Sequence, residues 1–86
     1  MEKSLSEAKT PPSMPMYYVY VLKINNGYYI GYTEDLKRRF NEHKVKGEVF
    51  LKYFEAYSSK KLATNREKKL KSYGSAWRAL RKRITA

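Results

Sequence analysis

From Tyr17 the chain runs YYVYVLKI, β-branched and aromatic residues broken by one lysine, which favour a pleated strand. Asn25-Asn26-Gly27 follows, and its Asn-Gly pair predicts a hairpin turn because both positions tolerate positive φ. The next run, YYIGY, reads as a second short strand. Gly31 interrupts its side-chain row, which marks a bulge or a close approach by another group. The period then lengthens. After Thr33-Glu34-Asp35, the segment LKRRFNEHKVK places Leu36 and Phe40 one helical turn apart. Thr33 is the predicted N-cap, two acids suit the first turn of the helix, and Gly47 stops it. Val49 to Tyr57 (VFLKYFEAY) returns to strand character and, being largely apolar, is expected to be buried. Ser58-Ser59 offers a cap for a second helix, Lys60 to Tyr73, closed by Gly74. Ser75 is expected to cap a third, AWRALRKRI, with Trp77, Leu80 and Ile84 on one stripe. The order β-β-α-β-α-α, without internal repeat, predicts an α+β domain in which helices cover a three-stranded sheet.

The segment before Tyr17 lacks this periodicity. MEKSLSEAKTPPSMP holds all three prolines and is electrically neutral, so residues 1–15 are expected to form a disordered tail and residues 16–86 the domain. Eighty-six residues leave room for one small domain, which buries only ~60% of its unfolded surface. Nineteen Lys+Arg against eight Asp+Glu give a net charge of +11, and all of it falls from Met16 onward. An excess of that size points to a polyanionic partner. The absence of cysteine excludes disulfides and Cys-based zinc sites. No apolar run approaches the ~20 residues that cross a bilayer, and the N-terminus lacks the apolar core of a signal peptide. A soluble cytoplasmic protein is expected.

The charge concentrates toward the C-terminus: from Lys60 onward there are ten Lys+Arg and one acid, Glu67. A solvated cationic face is the plain explanation. The density exceeds what solubility needs, however, and counterion release from a phosphate backbone would reward it. Arg38, Lys60, Lys61, Arg66, Lys68, Lys71 and Arg81 are therefore candidate nucleic-acid contacts. A membrane surface is disfavoured because the helices lack a broad apolar face. Glu67 shares a helical face with Ala63 and Leu70. Either it pairs with Arg66, Lys68 or Lys69, or its carboxylate holds one divalent cation beside a phosphate, since oxygen ligands suit Mg²⁺ and Mn²⁺. Arg39 and His43 lie four apart beside Leu36 and Phe40. They form either a basic surface stripe or a guanidinium that braces a phosphate next to an imidazole that moves a proton. Six of the nine tyrosines crowd into Tyr17–Tyr32. Sheet propensity explains most of them. One or two could instead act as a base, if cations stabilise the phenolate, or stack on nucleic-acid bases.

Taken together, Tyr18-Val19-Tyr20, Tyr29-Ile30-Gly31, Arg39, His43 and Glu67 resemble the GIY-YIG nuclease superfamily, and in particular its small stand-alone bacterial members. The resemblance runs from Met16 to about Ile84, with five elements in the right order. It implies a three-stranded antiparallel sheet flanked by helices and an endonuclease that hydrolyses phosphodiester bonds in DNA, in repair or recombination, with one divalent cation, Mg²⁺ or Mn²⁺. By the resemblance, Tyr20 or Tyr29 helps activate the attacking water, Tyr20 being preferred. Arg39 would stabilise the pentavalent phosphate, His43 would assist proton transfer or contact phosphate, and Glu67 would hold the metal. Gly31 would leave room for the backbone near the phosphate. The first motif reads Tyr18-Val19-Tyr20, without the glycine that names it. No appended DNA-recognition domain is expected. A bare domain is expected to bind weakly, to read branches, flaps or single strands, or to rely on a protein partner for specificity. The alternative is a non-catalytic nucleic-acid-binding module with the same fold.

Overall fold

A computed structural model describes residues 15–85. The disordered tail expected for residues 1–15 falls almost wholly outside the described residues. The chain forms β1 (Tyr17–Ile24), β2 (Gly27–Thr33), α1 (Leu36–Val45), β3 (Val49–Tyr57), α2 (Lys60–Lys71) and α3 (Ser75–Thr85). The sheet is antiparallel in the order β2-β1-β3, so the first strand is central and the other two are edges. This is the α+β architecture expected. No helix among the described residues is long and apolar enough to cross a membrane.

Alternation along β1 sorts its side chains between two layers. Val19 and Val21 join Ile30 of β2, Ala63 and Leu70 of α2, and Trp77 and Leu80 of α3 in one core. Tyr17, Tyr28, Tyr32, Tyr53 and Tyr57 pack against it. Tyr20 and Leu22 are also buried but project from the other face of β1, the face that meets α1 through His43.

The turns and caps differ from expectation in ways their backbone explains. The hairpin loop is Asn25-Asn26, since Ile24 pairs with Gly27, and Asn25 takes the positive φ of 51°. Thr33 belongs to β2; its hydroxyl accepts from the Asp35 N–H, and Asp35 is the N-cap of α1, accepting from Arg38 N–H at 3.1 Å. Helix α1 consequently starts after both acids, with none in its first turn. Ser59 caps α2 as expected, accepting from Leu62 N–H. That helix ends at Lys71, because Tyr73 turns to φ 57° with its ring edge-on to Trp77. Ser75 is the first residue of α3 rather than its cap, and the Gly74 carbonyl accepts from Arg78 N–H.

The larger correction concerns β3. Expected to be buried, it is an edge strand with no fully buried residue, and Phe50 and Phe54 are 60% and 50% exposed. An apolar run reads alike in central and edge strands, and here the single central position went to β1. The inward phase of β3 instead carries Glu55, which accepts hydrogen bonds from the phenols of Tyr53 (2.7 Å) and Tyr57 (2.6 Å) and a two-pronged one from Arg66 of α2.

Candidate active site

Tyr20 is 1% exposed, and its cross-strand partner is Gly31. A Cβ at position 31 would lie 2.5 Å from both Cζ and the hydroxyl oxygen of Tyr20. The close approach expected at Gly31 is therefore made by the Tyr20 phenol. On the same face, the N-cap at Asp35 sets the path of α1 so that Arg39 and His43, one turn apart, come down on the sheet. The Tyr20 hydroxyl and His43 Nε2 are 3.2 Å apart. Tyr29 completes the cluster, its ring centroid 4.8 Å from that of His43 and 6.1 Å from that of Tyr20. The Arg39 guanidinium faces both phenols.

Burial depresses the His43 pKa below its ordinary value, and the cations of Arg39 and Lys46 outweigh the opposing effect of Glu42. The imidazole is thus neutral at neutral pH, with one nitrogen carrying a lone pair. Burial pushes the Tyr20 phenol above its usual range, although Arg39 pulls the other way. Arg39 is held firmly as a cation by its contacts with Tyr20 and Glu42. The arrangement is a protonated phenol between a fixed guanidinium and a neutral imidazole. In the tautomer that leaves Nε2 bare, the phenol donates to it, which makes a short path for a proton.

Glu67 approaches from α2. Ala63 and Leu70 anchor that helix in the core, and Glu67, on the same face, sits at the rim with its side chain 20% exposed. Its ion-pair partner is Lys71, Nζ to Oε2 3.1 Å, and not Arg66, Lys68 or Lys69. Of these four, only Lys71 stands one full turn away on a shared face. The Lys71 ammonium is also 6.0 Å from the centroid of the Tyr29 ring. Among the described residues, no three His, Cys, Asp or Glu side chains gather into a metal cage. Glu67 thus offers a single hard oxygen ligand. That donor set fits Mg²⁺ or Mn²⁺, which keep several waters and take the rest of their shell from phosphate.

Of the candidate nucleic-acid contacts, Arg38, Lys60, Lys61, Lys68, Lys71 and Arg81 are exposed. Arg38 is paired with Glu42 at 2.8 Å and Lys60 with Glu34 at 3.9 Å. Arg81 lies over the Tyr28 ring, 5.6 Å from its centroid. Arg66 differs from the others: it is committed to Glu55, and its side chain is only 27% exposed.

Two acids escaped the sequence reading. Glu42 joins both arginines of α1, accepting from Arg39 Nη1 at 3.0 Å and from Arg38 Nη1 at 2.8 Å. Its spacing of three and four residues from them on one helix was a usable signal. Glu55 was detectable only as a lone acid in an apolar strand, since Arg66 is eleven residues away.

Residues 16–79 match the family model described as the GIY-YIG catalytic domain. A UPF0213 protein of Halobacterium salinarum is 35% identical over 71 residues, which covers 71% of this chain and 92% of that protein. A UPF0213 protein of Staphylococcus epidermidis is 34% identical over 70 residues, 70% of this chain and 85% of its own. No solved structure matches the chain significantly. The phenols, guanidinium, imidazole and carboxylate assembled above all come from the matched span, and the chain belongs to the GIY-YIG catalytic domain family.

Proposed function

We propose that this protein is a metal-dependent endonuclease that hydrolyses phosphodiester bonds in DNA, serving repair or recombination. The observation that carries the reading is the 3.2 Å contact between the Tyr20 hydroxyl and His43 Nε2, with Arg39 facing both phenols. A water attacking phosphorus gives its proton to the Tyr20 oxygen as the phenolic proton passes to His43 Nε2, and the P–O bond to the leaving sugar oxygen breaks, that oxygen taking a proton from solvent. The phenol thus relays the proton without lingering as phenolate, which its raised pKa would disfavour. Arg39 faces the charge that grows on the phosphoryl oxygens, and Glu42 holds its guanidinium in place. Tyr29 packs against His43 and fixes the ring orientation. Glu67 holds one divalent cation, Mg²⁺ or Mn²⁺, which when bound supplies Lewis-acid polarisation and screens the leaving group. The exposed cations of α2 and α3 track the backbone of the substrate. A protein partner, or the shape of branches and flaps, supplies selectivity.

One observation favours the non-catalytic binding module: the carboxylate assigned to the metal is already neutralised by Lys71. A cleavage assay on labelled duplex, single-stranded and branched DNA separates the two readings. It uses Mg²⁺ and Mn²⁺, with chelator and Glu67→Ala as controls. Metal-dependent cutting that vanishes in the variant, with binding kept, is the expected outcome. DNA retention without cutting under either metal would leave the binding module.

A further inference from the structure

The cation over Tyr29 is already part of the site, and its position has a consequence for the metal. Lys71 Nζ stands 3.1 Å from Glu67 Oε2 and 6.0 Å from the Tyr29 ring centroid. Glu67 precedes Lys71 by four residues on α2, the favourable order for such a pair. No second cation of the helix shares this role. Lys68 and Lys69 stand one and two residues from Glu67, a spacing that turns side chains to other faces, and Arg66 is held by Glu55.

We propose that Lys71 is a built-in competitor for the divalent cation at Glu67. Its ammonium balances the carboxylate until a metal displaces it and releases it toward the substrate phosphate. The inference rests on Glu67 being the metal ligand. A dication on the Glu67 carboxylate and an ammonium at 3.1 Å from its Oε2 compete for the same negative charge and repel each other. The lysine must therefore move when the metal arrives. Because Lys71 is 47% exposed, it leaves without disturbing the core. It stays tethered within one turn of the metal, where a phosphate is the next available anion. Binding of metal and binding of phosphate are thereby coupled: the cation site is weak while empty of substrate, and the freed ammonium strengthens the hold on the nucleic acid only once the metal is in place.

The test is Mn²⁺ binding to the full chain without nucleic acid, followed by the loss of the electron paramagnetic resonance signal of aqueous Mn²⁺. Four proteins are compared: the native chain, Lys71→Met, Lys71→Arg and Glu67→Gln. Lys71→Met is expected to bind Mn²⁺ roughly three- to tenfold more tightly, as removal of an exposed ion pair and a repelling charge should allow. Lys71→Arg should match the native chain, because it restores the competing cation, and Glu67→Gln should lose the site. Unchanged or weaker binding by Lys71→Met, with Glu67→Gln still defective, would overturn the competition alone. Native-like binding by Glu67→Gln, or no binding by any of the four, would overturn the metal assignment at Glu67 and the competition with it.

Discussion

A β-carbon at Gly31 would lie 2.5 Å from Cζ and the hydroxyl of Tyr20, whereas one at Gly27 meets nothing within 4 Å. Gly31→Ala must therefore displace the Tyr20 phenol, while Gly27→Ala need not move anything. Overpacking of this kind costs about 1–3 kcal/mol. Gly31→Ala is expected to show that loss in urea unfolding together with at least a tenfold fall in cleavage. Gly27→Ala should retain native activity, and equal behaviour of the two would mean that Tyr20 is not held by the glycine. His43 sets the pH response of the same cluster. Its pKa lies below the ordinary ~6.5 because of burial and the Arg39 and Lys46 charges. The base is neutral above that lowered value and is lost by protonation below it. The cleavage rate should accordingly hold through neutral pH and fall only on the acid side of ~6.5. His43→Gln should abolish that limb, and an unchanged acid limb in this variant would remove His43 from the relay.

At the scale of elements, α2 is fastened to the edge strand by a polar knot as well as by the core. Glu55 collects two phenols and the Arg66 guanidinium with its side chain 11% exposed. Burial alone would raise its carboxyl, but the hydrogen bonds from Arg66, Tyr57 and Tyr53 outweigh this and hold the pKa below the ordinary value. The phenol of Tyr57 is pushed up to about 12 by burial and by the neighbouring carboxylate. A depressed acid stabilises the fold above its unfolded pKa of ~4.3, and that contribution disappears as pH falls through the lower folded value. Glu55→Gln should lose about 1–3 kcal/mol at neutral pH, the scale of an unsatisfied buried partner. Its stability should then depend less on pH below ~4.3 than that of the native chain. Parallel pH curves for the two proteins, measured by urea unfolding, would show that the knot is not the acid-sensitive element. The same contact commits the Arg66 guanidinium, a candidate nucleic-acid contact, to Glu55 and ties β3 to the helix that carries Glu67.

Over the whole molecule, a charge of +11 on one small domain governs how it meets a polyanion. Lys68 is exposed on α2, one residue beyond Glu67. If α2 is the binding face, Lys68→Ala should reduce the slope of log K against log salt by about 0.9 on duplex DNA. Filter binding across a salt series would measure it. An unchanged slope there and in the equivalent Lys61 variant would place the substrate elsewhere. The two faces of the sheet divide the work. The helical core gathers Val19, Val21, Ile30, Leu70 and Trp77 on one side. The other side carries Tyr20, Tyr29 and His43.

The amino-acid sequence by itself determined the order of elements, the stripe of Trp77 and Leu80, the cationic C-terminal half and the residue types of the candidate site. Each is written in local periodicity, charge or spacing, which need no knowledge of neighbours distant in the chain. Only the tertiary structure decided that β1 is central and β3 an edge, because strand order depends on which apolar faces pack together and not on how apolar each strand is. It also decided that Arg66 leaves for Glu55 and that the space at Gly31 belongs to the Tyr20 phenol. Pairing among charges on one helix follows from facing, and pairing between α2 and β3 follows from docking. The directions in which the Tyr20 and His43 pKa values move were likewise set chiefly by burial, which no single position in the sequence carries.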